Sequence, residues 1–261
     1  MTPKVRQRVA VISGASSGIG AATAHALDAL GFRLFLGARR LDRLSRVAES
    51  LDAEAVTLDV CDVDSVGRFV AAVEEKVGAI DVLVNSAGLA LGQRTIADAV
   101  DQEWVRVWET NVLGMVRLTR ACLPLLRRAP HSHVVNISSV AAFDLYAGGA
   151  AYASSKHAVH ALTRTLRYEL NGERIRVTEI APGITRTEFA FVRFEGDRQA
   201  EQAVYEGIVP LRPEDVADCV AFAVSRPPHV DVDEIVLRPI AQAAPHLVAR
   251  RVPGLGVSYD D

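Results

Sequence analysis

The chain has 261 residues, 49% apolar and 23% charged, with a net charge of −3. That balance excludes a disordered tract and a basic nucleic-acid-binding face, and it supplies enough apolar side chain for a sizeable core. Three scattered cysteines (Cys61, Cys122, Cys219) form no disulfide framework or CxxC pair, and the basic start carries no sustained apolar run; the expected setting is the cytoplasm, without leader or membrane span.

Residues 9–12 read as a buried strand, followed by a glycine-rich turn and a helix over 21–30 closed by Gly31. Residues 34–36 form the second strand and 41–51 the second helix, with Leu41, Leu44, Val47, Ala48 and Leu51 on one face. A third strand over 56–58 precedes a helix over 64–76, for which Gly78 is the predicted C-cap. Further strands are predicted over 82–84, 133–137, 177–180 and 235–237, and helices over 102–128, 151–171 and 214–225. The strands are continuously apolar, as strands covered on both faces are.

Strand–helix alternation of this kind builds a parallel sheet with right-handed crossovers. No linker or repeat divides the chain, so the prediction is an α/β, doubly wound, single domain over 1–261. Two stretches lack clear periodicity. Residues 183–212 are rich in Phe (Phe189, Phe191, Phe194) and are expected to cover a substrate. The tail over 239–261 is too short to fold alone and is expected to pack on a neighbouring subunit.

Four features carry chemistry. In the run Ser13 to Gly20 (SGASSGIG), Gly14, Gly18 and Gly20 let the backbone turn sharply beside a ligand phosphate. The helix N-terminus behind them, with Ser16, Ser17 and Ile19, offers free N–H groups and a positive dipole end. At the end of the second strand, Arg39 and Arg40 follow Ala38 where an acid would contact the ribose of NAD; two arginines suit the 2′-phosphate of NADP instead. Asp59, Val60, Asn85, Ala87 and Gly88 lie just past strand ends, where open α/β sheets bind ligands. Finally, Tyr152 and Lys156 are four apart near a helix start, thirteen residues after Ser139. A phenol is a weak acid near pKa 10, which a nearby ammonium lowers. A serine hydroxyl beside it can hold a carbonyl or alcohol oxygen, so the three make a proton-transfer centre.

Taken in order, these residues resemble the short-chain dehydrogenase/reductase family in its compact one-domain branch, over nearly the whole chain. The resemblance implies a Rossmann-type sheet of seven parallel strands and a catalytic tetrad of Asn111, Ser139, Tyr152 and Lys156. It places Pro182, Gly183, Thr185 and Thr187 against the nicotinamide end of the coenzyme, where Tyr152 and Lys156 also bind. One departure is Ser86, where the family's usual motif has a second Asn. The implied activity is NADP(H)-dependent interconversion of a carbonyl and an alcohol, similar to members acting on 3-hydroxy acids or small aldehydes. Asn111 is expected to anchor a water that links Lys156 to solvent.

The apolar residues Leu89, Leu91, Val140, Ala141, Phe143, Ile184 and Phe189 suggest a medium-sized, partly apolar small-molecule substrate. In this family helices such as 102–128 and 151–171 pair between subunits, which implies a homodimer or homotetramer. Two other readings compete: a sugar-nucleotide epimerase or dehydratase, and a non-catalytic NADP-sensing regulator on the same fold. No metal is expected, because no carboxylate or Cys cluster completes the pairs His131/His133 or His157/His160. Trp104 and Trp108 are read as packing residues.

Overall fold

Short apolar segments place seven strands side by side in one sheet, and the computed structural model describes residues 6–252. The strands are β1 (Val9–Ser13), β2 (Arg33–Ala38), β3 (Ala53–Thr57), β4 (Val82–Asn85), β5 (Ser132–Ile137), β6 (Ile175–Pro182) and β7 (Glu234–Leu237). Their order is β3-β2-β1-β4-β5-β6-β7, and every neighbouring pair is parallel. Helices α1 (Gly18–Ala29), α2 (Leu41–Ala48), α3 (Val63–Lys76), α4 (Asp101–Trp108), α5 (Gly114–Arg128) and α6 (Ala150–Glu169) follow in turn. Then come α7 (Phe189–Arg193), α8 (Arg198–Tyr205) and α9 (Pro213–Val224).

Side-chain alternation along each strand divides the core in two. Phe35, Leu83, Val134 and Val177 meet Phe69 of α3 and Leu118 and Leu125 of α5 on one face. On the other, Ile12, Leu34, Val84, Val135 and Ile180 meet Leu27 of α1, Leu44 of α2 and Val216 and Val220 of α9. The edge strands β3 and β7 are only partly covered, unlike the five between them. Strand order reverses between β1 and β4, so the ends of these two strands border the crevice where such sheets bind ligands.

The structure corrects three local expectations. Gly78 is not a left-handed cap; α3 ends at Val77, whose backbone is extended at φ −141° and ψ 141°. The long helix over 102–128 is two helices joined by a wide π turn over Glu109–Leu113. Residues 183–212 are not irregular, because they contain α7 and α8. The tail through residue 252 folds back on its own chain: β8 (Gln242–Ala244) pairs with β9 (Leu247–Val248), and Arg251 N donates to Gly207 O at 2.6 Å. Residues 253–261 of the tail, part of the expected subunit contact, lie outside the described residues.

Burial in the strand core has a thermodynamic consequence at His133 of β5. Burial pushes its imidazole down to about 3. Nε2 shares a 2.7 Å hydrogen bond with Thr178 Oγ1, and Nδ1 has no partner. The unfolded chain therefore binds a proton through a pH range where the fold refuses it. Stability is lost as pH falls from about 6.5, by about 3 kcal/mol at pH ~4. Urea titrations should show this slope, and His133→Gln should flatten it over the same range.

Candidate active site

The carboxyl ends of β1, β2, β4, β5 and β6 open onto a cavity of about 880 Å³. Its floor is the glycine-rich turn. Gly14 sits at φ +69°, and a Cβ there would lie 2.8 Å from the Ala87 backbone. A Cβ on Gly20 would lie 2.5 Å from Gly14 O. Backbone thus packs directly on backbone, and Ser13 Oγ fixes the facing loop by accepting from Ser86 N at 3.1 Å and Ala87 N at 3.2 Å. Ser86 joins this contact through its main chain, so a second Asn is not required for it.

The start of α1 faces the same cavity. Ser17 caps the helix in extended backbone but makes no side-chain cap bond, leaving first-turn N–H groups free for a ligand. Arg40 Nη2 donates to Ser17 Oγ at 2.9 Å and Ser16 Oγ at 3.3 Å, while its Nη1 pairs with Glu188 at 2.9 Å. Arg40 and Arg43 hold the Glu188 carboxyl below its usual range. Arg39 lines the cavity and has no hydrogen bond or ion pair among the described residues. Asp59 turns its carboxylate back to accept from Cys61 N at 2.9 Å.

Ser139, Tyr152 and Lys156 converge at the other end. Ser139 ends the segment after β5, and its Oγ accepts from Ala141 N at 3.1 Å. Tyr152 lies near the start of α6, where the Lys156 ammonium sits 5.7 Å from its ring centroid and donates to Ile137 O at 3.0 Å. Burial pushes the Tyr152 phenol well above its usual value; its hydrogen bond with Ser139 opposes this, as does the charge of Arg193. The expected lowering by Lys156 is absent: burial dominates the phenol, and the opposing pulls come from Ser139 and Arg193. Lys156 is itself pushed down to about 8 by burial, against the opposing pull of the Glu179 carboxylate.

The other predicted residues fall into place unevenly. Gly18, Ile19, Val60, Ala87, Gly88, Pro182, Gly183, Thr185 and Thr187 all line the cavity. Asn85 does not: it is buried, and its amide donates to Thr119 Oγ1 at 2.9 Å and Asn136 Oδ1 at 2.8 Å. Asn111, in the π turn, donates to Leu89 O at 2.8 Å and Ser155 Oγ at 3.0 Å, and accepts from Leu89 N at 2.8 Å. Both of its N–H groups are taken by protein, so its amide pins the loop after Gly88 rather than donating to a water. Phe143 packs edge-on to His160 at 4.8 Å and does not line the cavity, whereas the other six apolar candidates do. Strand pairing also brings two carboxylates to His160: Glu179 Oε2 at 2.7 Å and Glu234 Oε2 at 3.6 Å. The sequence could not show that cluster, since β6 and β7 meet only in the sheet. Arg193, Tyr146 and Tyr205 were not among the predicted site residues, yet all three line the cavity; the cluster of Phe around Arg193 was their only sequence signal.

This fold and this site define a dinucleotide-dependent oxidoreductase. Residues 8–197 match the family described as short chain dehydrogenase. The chain is 48% identical over 239 residues to an uncharacterised oxidoreductase of Mycobacterium tuberculosis, covering 92% of this chain and 94% of that one. It is 37% identical over 248 residues to an NADP-dependent 3-hydroxy acid dehydrogenase of Schizosaccharomyces pombe, covering 92% and 96%. The closed form of serine dehydrogenase complexed with NADP+ matches with a TM-score of 0.86 and 33% identity, over 96% and 99% of the two chains. The chain belongs to the short-chain dehydrogenase/reductase family.

Proposed function

We propose that the protein is an NADP(H)-dependent oxidoreductase that interconverts a small carbonyl compound and its alcohol, with Tyr152 as the general acid and base. The observation that carries this reading is the meeting of Ser139, Tyr152 and Lys156 in the cavity that the glycine turn and Arg39 also line. The residues fit the coenzyme. Glycine packing at 14 and 20 keeps the turn low, the α1 N-terminus offers N–H groups to the diphosphate, and Arg39 with Arg40, Ser16 and Ser17 suits a further phosphate. Pro182, Gly183, Thr185 and Thr187 would border the nicotinamide. A Cβ on Gly88 would stand 3.7 Å from Lys156 Nζ, so glycine keeps the ammonium open to a ribose.

When bound, the coenzyme supplies or accepts the hydride. Ser139 Oγ–H holds the substrate oxygen. The Tyr152 hydroxyl gives that oxygen a proton in reduction and takes it back in oxidation. Lys156 holds positive charge beside the phenol. Phe189 of α7, whose ring centroid is 5.3 Å from that of Tyr152, supports a substrate-covering role for 183–212.

The test is NADPH consumption with a panel of short aldehydes and ketones. Steady, carbonyl-dependent oxidation is the expected result. Tight coenzyme binding without turnover would favour a sensing regulator, and conversion of a sugar nucleotide with no net coenzyme use would favour an epimerase.

No helix among the described residues is long and apolar enough to cross a membrane. The three thiols are unpaired, which suits a reducing cytoplasm. Val105 and Trp108 of α4, Leu113 of the π turn and Tyr168 of α6 are exposed, which supports a homodimer or homotetramer built through these helices. Light scattering should return a multiple of 28.1 kDa. Val105→Glu should shift that mass downward, and a monomeric parent would overturn the assembly.

A further inference from the structure

The tail after β7 returns one side chain to the reacting end of the cavity. Gln242 opens β8, where it pairs with Val248 of β9, and its N–H donates to Pro239 O at 2.9 Å. Those bonds set the backbone. The side chain is buried, and the residue lines the cavity. Its Oε1 accepts from Ile184 N at 2.9 Å. A Cβ on Gly183 would collide with the same oxygen, so glycine at that position makes room for the amide.

Strand register places this contact beside the reacting groups. Ile137 stands opposite Ile180, so Ser139, two residues beyond, is level with Pro182 at the end of β6. Adjacent strands lie about 4.8 Å apart, so the chain that continues into Gly183 and Ile184 leaves β6 one strand spacing from Ser139. The main chain there has little left to offer a ligand. Gly183 N donates to Leu237 O at 2.8 Å, Ile184 N to Gln242, and Ile184 O accepts from Leu211 N at 2.9 Å. Gln242 Nε2, in contrast, has no hydrogen-bond partner among the described residues, and the residue that carries it lines the cavity. The polar group that this corner can present to a bound molecule is therefore a neutral amide donor.

We propose that Gln242 is a coenzyme-binding residue: Oε1 pins Ile184, and Nε2 donates to the carboxamide oxygen of the nicotinamide. The charged groups set the direction in which the coenzyme lies. Its phosphates are drawn to the α1 N-terminus and Arg39, so its other end reaches Ser139 and Tyr152, where β6 ends. A neutral donor suits both redox states, because it places no charge beside a ring that is positive when oxidised and neutral when reduced. Held at the carboxamide, the ring cannot swing about its glycosidic bond, and one face stays toward the substrate carbon. The folded-back tail thus serves its own chain's active site. This assignment rests on the NADP(H) reading above and adds a residue to the reacting end of that site.

Calorimetric titrations compare NADP+, its thionicotinamide analogue and adenosine 2′,5′-bisphosphate with the parent, Q242L and Q242E. The analogue carries sulfur in place of the carboxamide oxygen, a poorer acceptor, and the bisphosphate lacks the nicotinamide half. The parent is expected to bind NADP+ more tightly than the analogue. In Q242L, NADP+ weakens about fivefold, the worth of one hydrogen bond, and the preference over the analogue disappears. The bisphosphate binds the parent and Q242L alike, which a general loosening of the fold would not allow. Q242E keeps an oxygen for Ile184 N and loses the amide donor, so it loses the preference too. Its added charge acts equally on both pyridinium rings and cancels in the ratio. In carbonyl reduction by Q242L, kcat falls at least about tenfold while KM for the carbonyl holds, since ring position rather than substrate contact is lost. An unchanged preference in both variants overturns the inference and leaves the coenzyme reading standing, as does equal weakening of NADP+ and the bisphosphate. A parent that binds NADP+ with this Gln242 dependence yet reduces no carbonyl upholds the inference and overturns the reaction class. A parent that binds no NADP+ overturns both.

Discussion

Tyr152→Phe should lower turnover by at least about 100-fold while NADPH still binds, because the change removes the transferable proton and keeps the ring. Fluorescence titration measures the binding and initial rates measure the chemistry. A variant that turns over like the parent would mean that another group gives the proton. Alcohol oxidation needs the phenolate, so its rate should rise with pH as Tyr152 loses its proton. Burial pushes that loss upward, and the Ser139 hydrogen bond and the Arg193 charge pull it down. Lys156→Ala deletes the ammonium that donates to Ile137 O and that Gly88 leaves open to a ribose, so NADPH should bind more weakly in the same titration. Ser139→Ala should lower turnover as well, because the substrate oxygen loses the hydroxyl that positions it.

Arg39→Ala should weaken NADPH by roughly ten- to a hundred-fold and NADH by much less. The reason lies in what already surrounds the two arginines. Arg40 is engaged by Ser16, Ser17 and Glu188, whereas Arg39 has no partner among the described residues to give up when a phosphate arrives. Removing it therefore deletes a charge available to the 2′-phosphate and little else. Equal titration curves for NADPH and NADH with the parent protein would overturn this.

Local signals carried most of the fold. Each central strand holds a short apolar run, and Gly14, Tyr152 and Lys156 act within single short segments, so their pattern survives in one dimension. What sequence could not show depends on pairing between distant elements. Arg193 looks like any basic residue on a helix until Gly92, Tyr146 and Tyr152 are brought around it. Glu179 reads as a break in an apolar strand, and only the packing of α6 on β6 reveals its contact with His160. The π turn that aims Asn111 at Leu89 leaves no periodic trace. Asn85 failed in the opposite direction: a polar residue at a strand end looks like a ligand contact, yet its side chain faces the helix layer.

That helix-facing position makes Asn85 part of a polar row across the sheet. Asn85 stands opposite Asn136, Asn136 opposite Glu179, and Glu179 opposite Glu234. Asn136 Nδ2 also donates to Thr163 Oγ1 of α6 at 2.9 Å. A sheet of interchangeable valines and leucines could slide by one residue at little cost, but this one cannot. A single-residue slip of β5 would turn Asn136 to the face of α1 and α9 and leave its amide, and that of Asn85, buried without partners. The same slip would carry Ser139, three residues downstream, by about 3.3 Å along the strand axis, a displacement longer than a hydrogen bond. The row thus serves as a register key, tying the alignment of the strands to the distance at which Ser139 meets Tyr152.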